Sequence, residues 1–167
     1  MMLRSHRLSL RPVLASDADA LQAVFGDPQA MRYSRIGAQP APYAANWISH
    51  LTHERGLGTW ALVERAGEQV IGYASLTAVR PGDGGREAEL MLRLAPSWWR
   101  RGYGREAAQA LLDHGFGSLG LRRIVASIDP DHEAADAWLR QLGLQPAGEL
   151  MLAGDPRPER LYAIERG

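Results

Sequence analysis

The 167-residue chain contains no cysteine, which excludes disulfides, thiolate metal sites and a cysteine nucleophile. Neither sign of charge is in excess. Nineteen Lys and Arg residues balance nineteen Asp and Glu, so no net field points to nucleic acid or an anionic membrane as partner. No apolar run reaches the ~18 residues of a membrane span, and Met1 to Arg11 holds no signal-peptide core. The expectation is therefore a cytoplasmic chain with neither a membrane nor a nucleic-acid partner. Histidines are few. His50 and His53 lie three apart with no carboxylate at suitable spacing, so no metal is expected. Repeats, low-complexity tracts and linkers are also lacking, and residues 1–167 read as one domain.

What is present is an ordinary globular composition, 46% hydrophobic and 23% charged, with one stretch that stands out. The alternating run Ala88 to Leu94 ends at Ala95-Pro96. It is followed by Trp98-Trp99-Arg100-Arg101-Gly102-Tyr103-Gly104-Arg105-Glu106-Ala107-Ala108. A strand stops, the backbone turns, and a helix begins. Glycines 102 and 104 permit close approach of another group, while the free N–H groups and positive dipole end of the helix favour an anion, phosphate above all. Arg100, Arg101 and Arg105 add charge. A Gly-x-Gly by itself builds either a plain turn or such a cradle. There is no Gly-Lys-Ser/Thr for a Walker loop, and position 107 is alanine where a dinucleotide fingerprint requires its third glycine.

Along the chain, Leu8 and Leu10 alternate with polar neighbours in a first strand closed by Pro12. Ser16 or Asp17 can cap a helix carrying Leu21, Val24 and Phe25. Ala44, Trp47, Ile48 and Leu51 share one face of a second helix. Trp60 to Glu64, Val70 to Val79 and Glu87 to Leu94 read as strands, with Gly72 marking a bulge and residues 81–85 a flexible turn. Beyond the glycine loop come a helix to about Leu119, a strand over Arg123 to Ile128 and a helix marked by Ala135, Trp138 and Leu139. Closing strands are expected at Leu150 to Ala153 and Leu161 to Glu165. This order implies an α/β (α+β) domain, a mixed sheet with helices on both faces.

The element order and the loop resemble the GNAT family of acyl-CoA N-acyltransferases, above all its Rim-type branch. Arg7-Leu-Ser-Leu-Arg-Pro resembles that branch's opening strand, residues 98–107 its acyl-CoA loop, and Arg140-Gln-Leu-Gly-Leu-Gln-Pro-Ala-Gly-Glu the segment after its last helix. The resemblance implies a mostly antiparallel sheet of about seven strands, splayed between the fourth and fifth, Glu89–Leu94 and Arg123–Ile128. It implies acetyl-CoA as cosubstrate, with the pantetheine arm along Leu92, Arg93 and Leu94. The pyrophosphate would lie on the N–H groups of the loop formed by Arg100, Arg101, Gly102, Tyr103, Gly104 and Arg105. The acceptor would be a small-molecule amine or a peptide N-terminus.

Glu89 aligns with an acidic residue that this branch often places at the start of the strand leading to the loop. It is the candidate general base, or else a solvated strand residue; Glu87, on the same face by period two, is the fallback and a candidate substrate contact. Two positions depart from the family pattern. His132 replaces the usual Asn and either contacts the pantetheine, takes part in proton transfer or caps a helix. Leu139 replaces the tyrosine that protonates the leaving thiolate in many members. Tyr33 and Trp47, with Arg35, Tyr43 and His50, are aromatic or polar candidates for the acceptor cleft. Trp138 is either core or a contact to the cofactor arm. A homodimer is a further possibility that the resemblance raises. A GNAT-fold module that binds acyl-CoA without catalysis is the alternative function.

Overall fold

A computed structural model describes residues 2–53, 55–80 and 86–167; the turn expected over 81–85 lies outside them. Eight strands form one sheet: β1 (Leu3–Arg4), β2 (Leu8–Pro12), β3 (Gly58–Glu64), β4 (Gln69–Ala78), β5 (Glu87–Leu94), β6 (Arg123–Ile128), β7 (Gln145–Leu150) and β8 (Glu159–Glu165). Their order is β1-β2-β3-β4-β5-β6-β8-β7. Every neighbouring pair is antiparallel except β5 and β6. The sheet thus has one strand more than expected, the short β1. The penultimate strand is Gln145–Leu150 rather than Leu150 to Ala153. Pro146 and Gly148 disguise it, and Pro is tolerated there because β7 is an edge strand.

The helices are α1 (Ala18–Phe25), α2 (Tyr43–Ser49), α3 (Tyr103–Asp113) and α4 (Glu133–Gln141). Alternation along β5 decides which face each helix covers. Ala88, Leu90 and Leu94 pack in a core with Ala107, Ala108 and Leu111 of α3 and Leu139 of α4. On the opposite face, Tyr73 of β4 packs in a second core with Leu21, Val24 and Phe25 of α1 and Ala44 of α2. Glu87, Glu89, Met91 and Arg93 therefore point toward the α1–α2 side. No helix among the described residues is long and apolar enough to cross a membrane.

Two local features shape the middle of the sheet. The β3–β4 register shifts between Leu62 and Val63, so that Leu62 faces Gly72 and Val63 faces Val70; this is the bulge expected at Gly72. A Cβ on Gly72 would lie 2.1 Å from the Arg93 carbonyl oxygen, so glycine there lets β4 approach β5. Second, β5 and β6 pair only at Glu87–Arg123, Ala88–Ile124 and Glu89–Val125. Beyond Glu89 they separate, leaving Leu90–Leu94 with β4 as its ladder partner on one side.

Candidate active site

The split between β5 and β6 opens toward the glycine loop, and its apex is held by side chains. Ser127 donates its Oγ–H to Glu89 Oε1 at 3.2 Å, bridging the two strands just past their last paired residues. Glu87, one ladder step earlier, is ion-paired with Arg123 at 2.9 Å. The structure thus places Glu87, the fallback base and candidate substrate contact, in an ion pair across the two strands.

At the wide end, α3 begins beside β5. Arg100 and Gly102 both have positive φ, 62° and 83°, which is uncommon for a non-glycine residue and here curls the chain around the helix start. The first helical bond is donated by Glu106 to the Gly102 carbonyl at 3.0 Å. The N–H groups of Tyr103, Gly104 and Arg105 precede it and have no partner within the helix. Arg100, Arg101 and Arg105 are exposed. An anion fits this arrangement in charge and hydrogen-bonding capacity.

The tryptophans lie beneath the loop. Trp99 donates its indole N–H to the Leu94 carbonyl at 2.9 Å, tying the loop to the end of β5. Trp98 packs edge-on to Tyr103 and carries Arg101 4.9 Å above its ring. Tyr103 is itself buried, which leaves only its backbone to a ligand. A Cβ on Gly104 would meet Leu92 at 3.5 Å and Leu94 at 3.7 Å, ordinary contact distances.

The remaining expected residues divide between the cleft and the core. His132, just before α4, stacks on Tyr33 with ring centroids 4.4 Å apart, bringing together two positions 99 residues apart in sequence. Arg93 donates to the Tyr73 hydroxyl at 2.6 Å. Its side chain thus lies on the α1–α2 face, and only its backbone faces the split. Trp47, half-buried, packs against Phe25 and Tyr73 at 4.9 and 4.8 Å. Trp138 packs onto the α3–α4 core, half-buried. Leu139, at the position where many family members carry a tyrosine, is buried.

Sequence reading missed the carboxylates around a cavity of about 300 Å³ lined by Tyr33, Arg35, Asp129, Asp155, Arg157 and Glu159, among others. Arg35 approaches Asp155 at 3.4 Å, and Arg157 pairs with Asp131 at 3.1 Å. Burial holds the Glu159 carboxyl above its ordinary range; Asp155, Asp129 and Glu89 act in the same direction, against Arg35. Glu159 and Glu89 therefore share one electrostatic environment, although β6 lies between their strands. Of its lining residues, Tyr33 and Arg35 are among those expected at the acceptor cleft.

His132 is held below the ordinary imidazole value, first by burial and then by the Arg93 charge, with Asp129 opposing. It is neutral at neutral pH and able both to donate and to accept a proton. An NMR titration of its ring protons is expected to give a midpoint below 6.5. The unfolded chain takes up this proton first, so His132 lowers stability as pH falls through 6.5. A midpoint at or above 6.5 would contradict the burial of this ring.

Residues 7–145 match the family model described as the acetyltransferase (GNAT) domain. The chain is 30% identical over 152 residues to the uncharacterized N-acetyltransferase p20 of Bacillus licheniformis, covering 89% of this chain and 84% of that protein. Its fold matches a GNAT-family acetyltransferase from Bacillus anthracis with a TM-score of 0.88, at 20% identity over 99% of both chains. It also matches RimL, a ribosomal L7/L12 alpha-N-protein acetyltransferase solved in complex with coenzyme A. There the TM-score is 0.82, at 20% identity over 99% of this chain and 98% of that one.

Proposed function

Because the chain belongs to the GNAT acetyltransferase family, we propose that it transfers an acetyl group from acetyl-CoA to a primary amine, on a small molecule or a peptide N-terminus, within a ternary complex. The observation that carries this reading is the split between β5 and β6, which leads from the free N–H groups of α3 to the Glu89–Ser127 apex. In the proposed complex, the N–H groups of residues 103–105 and the exposed arginines hold the pyrophosphate. The free side of Leu90–Leu94 pairs with the pantetheine as an added strand would, and a backbone N–H near Leu92 stabilises the oxyanion. Glu89 accepts the proton released as the amine nitrogen bonds to the thioester carbon; the carbon–sulfur bond then breaks and the thiolate leaves as coenzyme A. Orientation and water exclusion supply most of the rate.

The carboxylates of Asp129, Asp155 and Glu159 line a cavity together with Arg35 and Arg157, and Glu89 acts electrostatically on Glu159; the three carboxylates suit an acceptor that arrives as an ammonium ion and loses one proton to solvent before it attacks. Within the Rim-type branch the acceptor would be a protein N-terminus. Thiol release from acetyl-CoA, followed against polyamines, amino acids and N-terminal peptides, tests the reading. Amine-dependent release is the expected result. Release that no amine accelerates, with acetyl-CoA bound, would favour a binding module.

A further inference from the structure

Arg7 lies between β1 and β2, 99 residues before Glu106 in the chain, yet most of its contacts are to the start of α3. Its Nε donates to Glu106 Oε1 at 2.9 Å, and its backbone N–H donates to Glu106 Oε2 at 2.8 Å. Its Nη1 donates to the Arg101 carbonyl at 2.9 Å. The guanidinium carbon sits 4.0 Å from the Tyr103 ring centroid. Ser5 Oγ adds a further hydrogen bond to Glu106. Even the adjacent glycine fits the arrangement, because a Cβ on Gly102 would lie 3.2 Å from Arg7 Nη2.

This network solves an electrostatic problem. Glu106 occupies the first turn of α3 and, with Ser5, Gly102 and Arg105, borders a cavity of about 420 Å³. A free carboxylate there would compete with a phosphate for the same N–H groups and repel it. Burial pushes the Glu106 carboxyl up, but the hydrogen bonds from Ser5 and Arg7 outweigh burial and hold it below the ordinary range. The charge thus persists, drawn to the side and neutralised.

We propose that Arg7 is a positioning residue for the phosphate seat. It neutralises Glu106, fixes the Arg101 carbonyl and the Tyr103 ring, and so aims the N–H groups that follow at the ligand. This inference rests on the acyl-CoA reading above. Lysine cannot replace it, because one ammonium cannot span the carboxylate and the carbonyl while lying flat on an aromatic ring.

The test compares acetyl-CoA with acetyl-pantetheine, which carries the same thioester without the pyrophosphate. Arg7→Met is expected to raise KM for acetyl-CoA about tenfold or more, to leave kcat within about twofold, and to leave turnover of acetyl-pantetheine unchanged. Arg7→Lys should resemble Arg7→Met. The double variant Arg7→Met with Glu106→Gln should regain part of the affinity, since the exposed carboxylate is gone. Equal losses with both donors, a double variant no better than Arg7→Met, or an unaltered KM for acetyl-CoA would overturn the positioning role. Wild-type protein that fails to bind coenzyme A would overturn the acyl-CoA reading itself, before any variant is made.

Discussion

Glu89→Gln is expected to lower kcat about 100-fold while leaving coenzyme A affinity unchanged. The amide keeps the size of the side chain and can still accept the Ser127 hydroxyl that bonds Glu89 Oε1 at 3.2 Å. What it loses is the capacity to take a proton, so an effect confined to kcat identifies the base and not the architecture. Glu87→Gln supplies the contrast. Glu87 shares the same strand face, but its carboxylate is bound to Arg123 at 2.9 Å, and the expected change in kcat is less than about threefold. Equal losses in the two variants would show that the strand, not the Glu89 carboxylate, matters. An unchanged rate in Glu89→Gln would move proton transfer to His132 or to water.

Gly72→Ala is expected to destabilise the fold by about 3 kcal/mol or more. The added Cβ would stand 2.1 Å from the Arg93 carbonyl oxygen and 2.9 Å from the Leu94 Cα. Both are backbone atoms, which cannot swing aside as a side-chain tip can. Strands β4 and β5 would have to part where β5 forms one wall of the split, so coenzyme A affinity should fall with stability. A loss of this size corresponds to a fall in Tm of roughly 6–12 °C for a domain of this length. Gly104→Ala is the control, since its Cβ would meet only leucine methyls at 3.5 and 3.7 Å. Alanine is also the better helix former, by about 1 kcal/mol. Thermal melting should therefore separate the two glycines. A Gly72→Ala protein as stable as wild type would contradict the close approach of the strands.

The parts of this molecule that were legible in sequence are those written in contiguous residues. The glycine loop, the alternation of Glu87 to Leu94 and the helical spacing after Gly104 each carry their structure locally, and the mixed sheet with helices on both faces follows from their order. Parts that depend on distant pairing were not legible. Period two puts Glu87 and Glu89 on one face, but only folding brings Arg123 to the first and Ser127 to the second. Helical spacing puts Trp47 on an apolar face without saying that Phe25 and Tyr73 fill the space around its ring. Strand β7 escaped notice because Pro146 and Gly148 are poor strand formers, admitted there by an edge position and a register shift. Arg7 read simply as the polar partner in an alternating strand, although its role is defined by atoms of Arg101, Tyr103 and Glu106.

Calorimetric titration of the wild-type protein with coenzyme A tests the central claim most directly, because it does not require the acceptor to be known. One-site binding that weakens when pantetheine, which carries no phosphate, replaces coenzyme A is the expected result, as the seat at α3 and the open side of β5 would each contribute. No binding of coenzyme A at millimolar concentration would contradict the account.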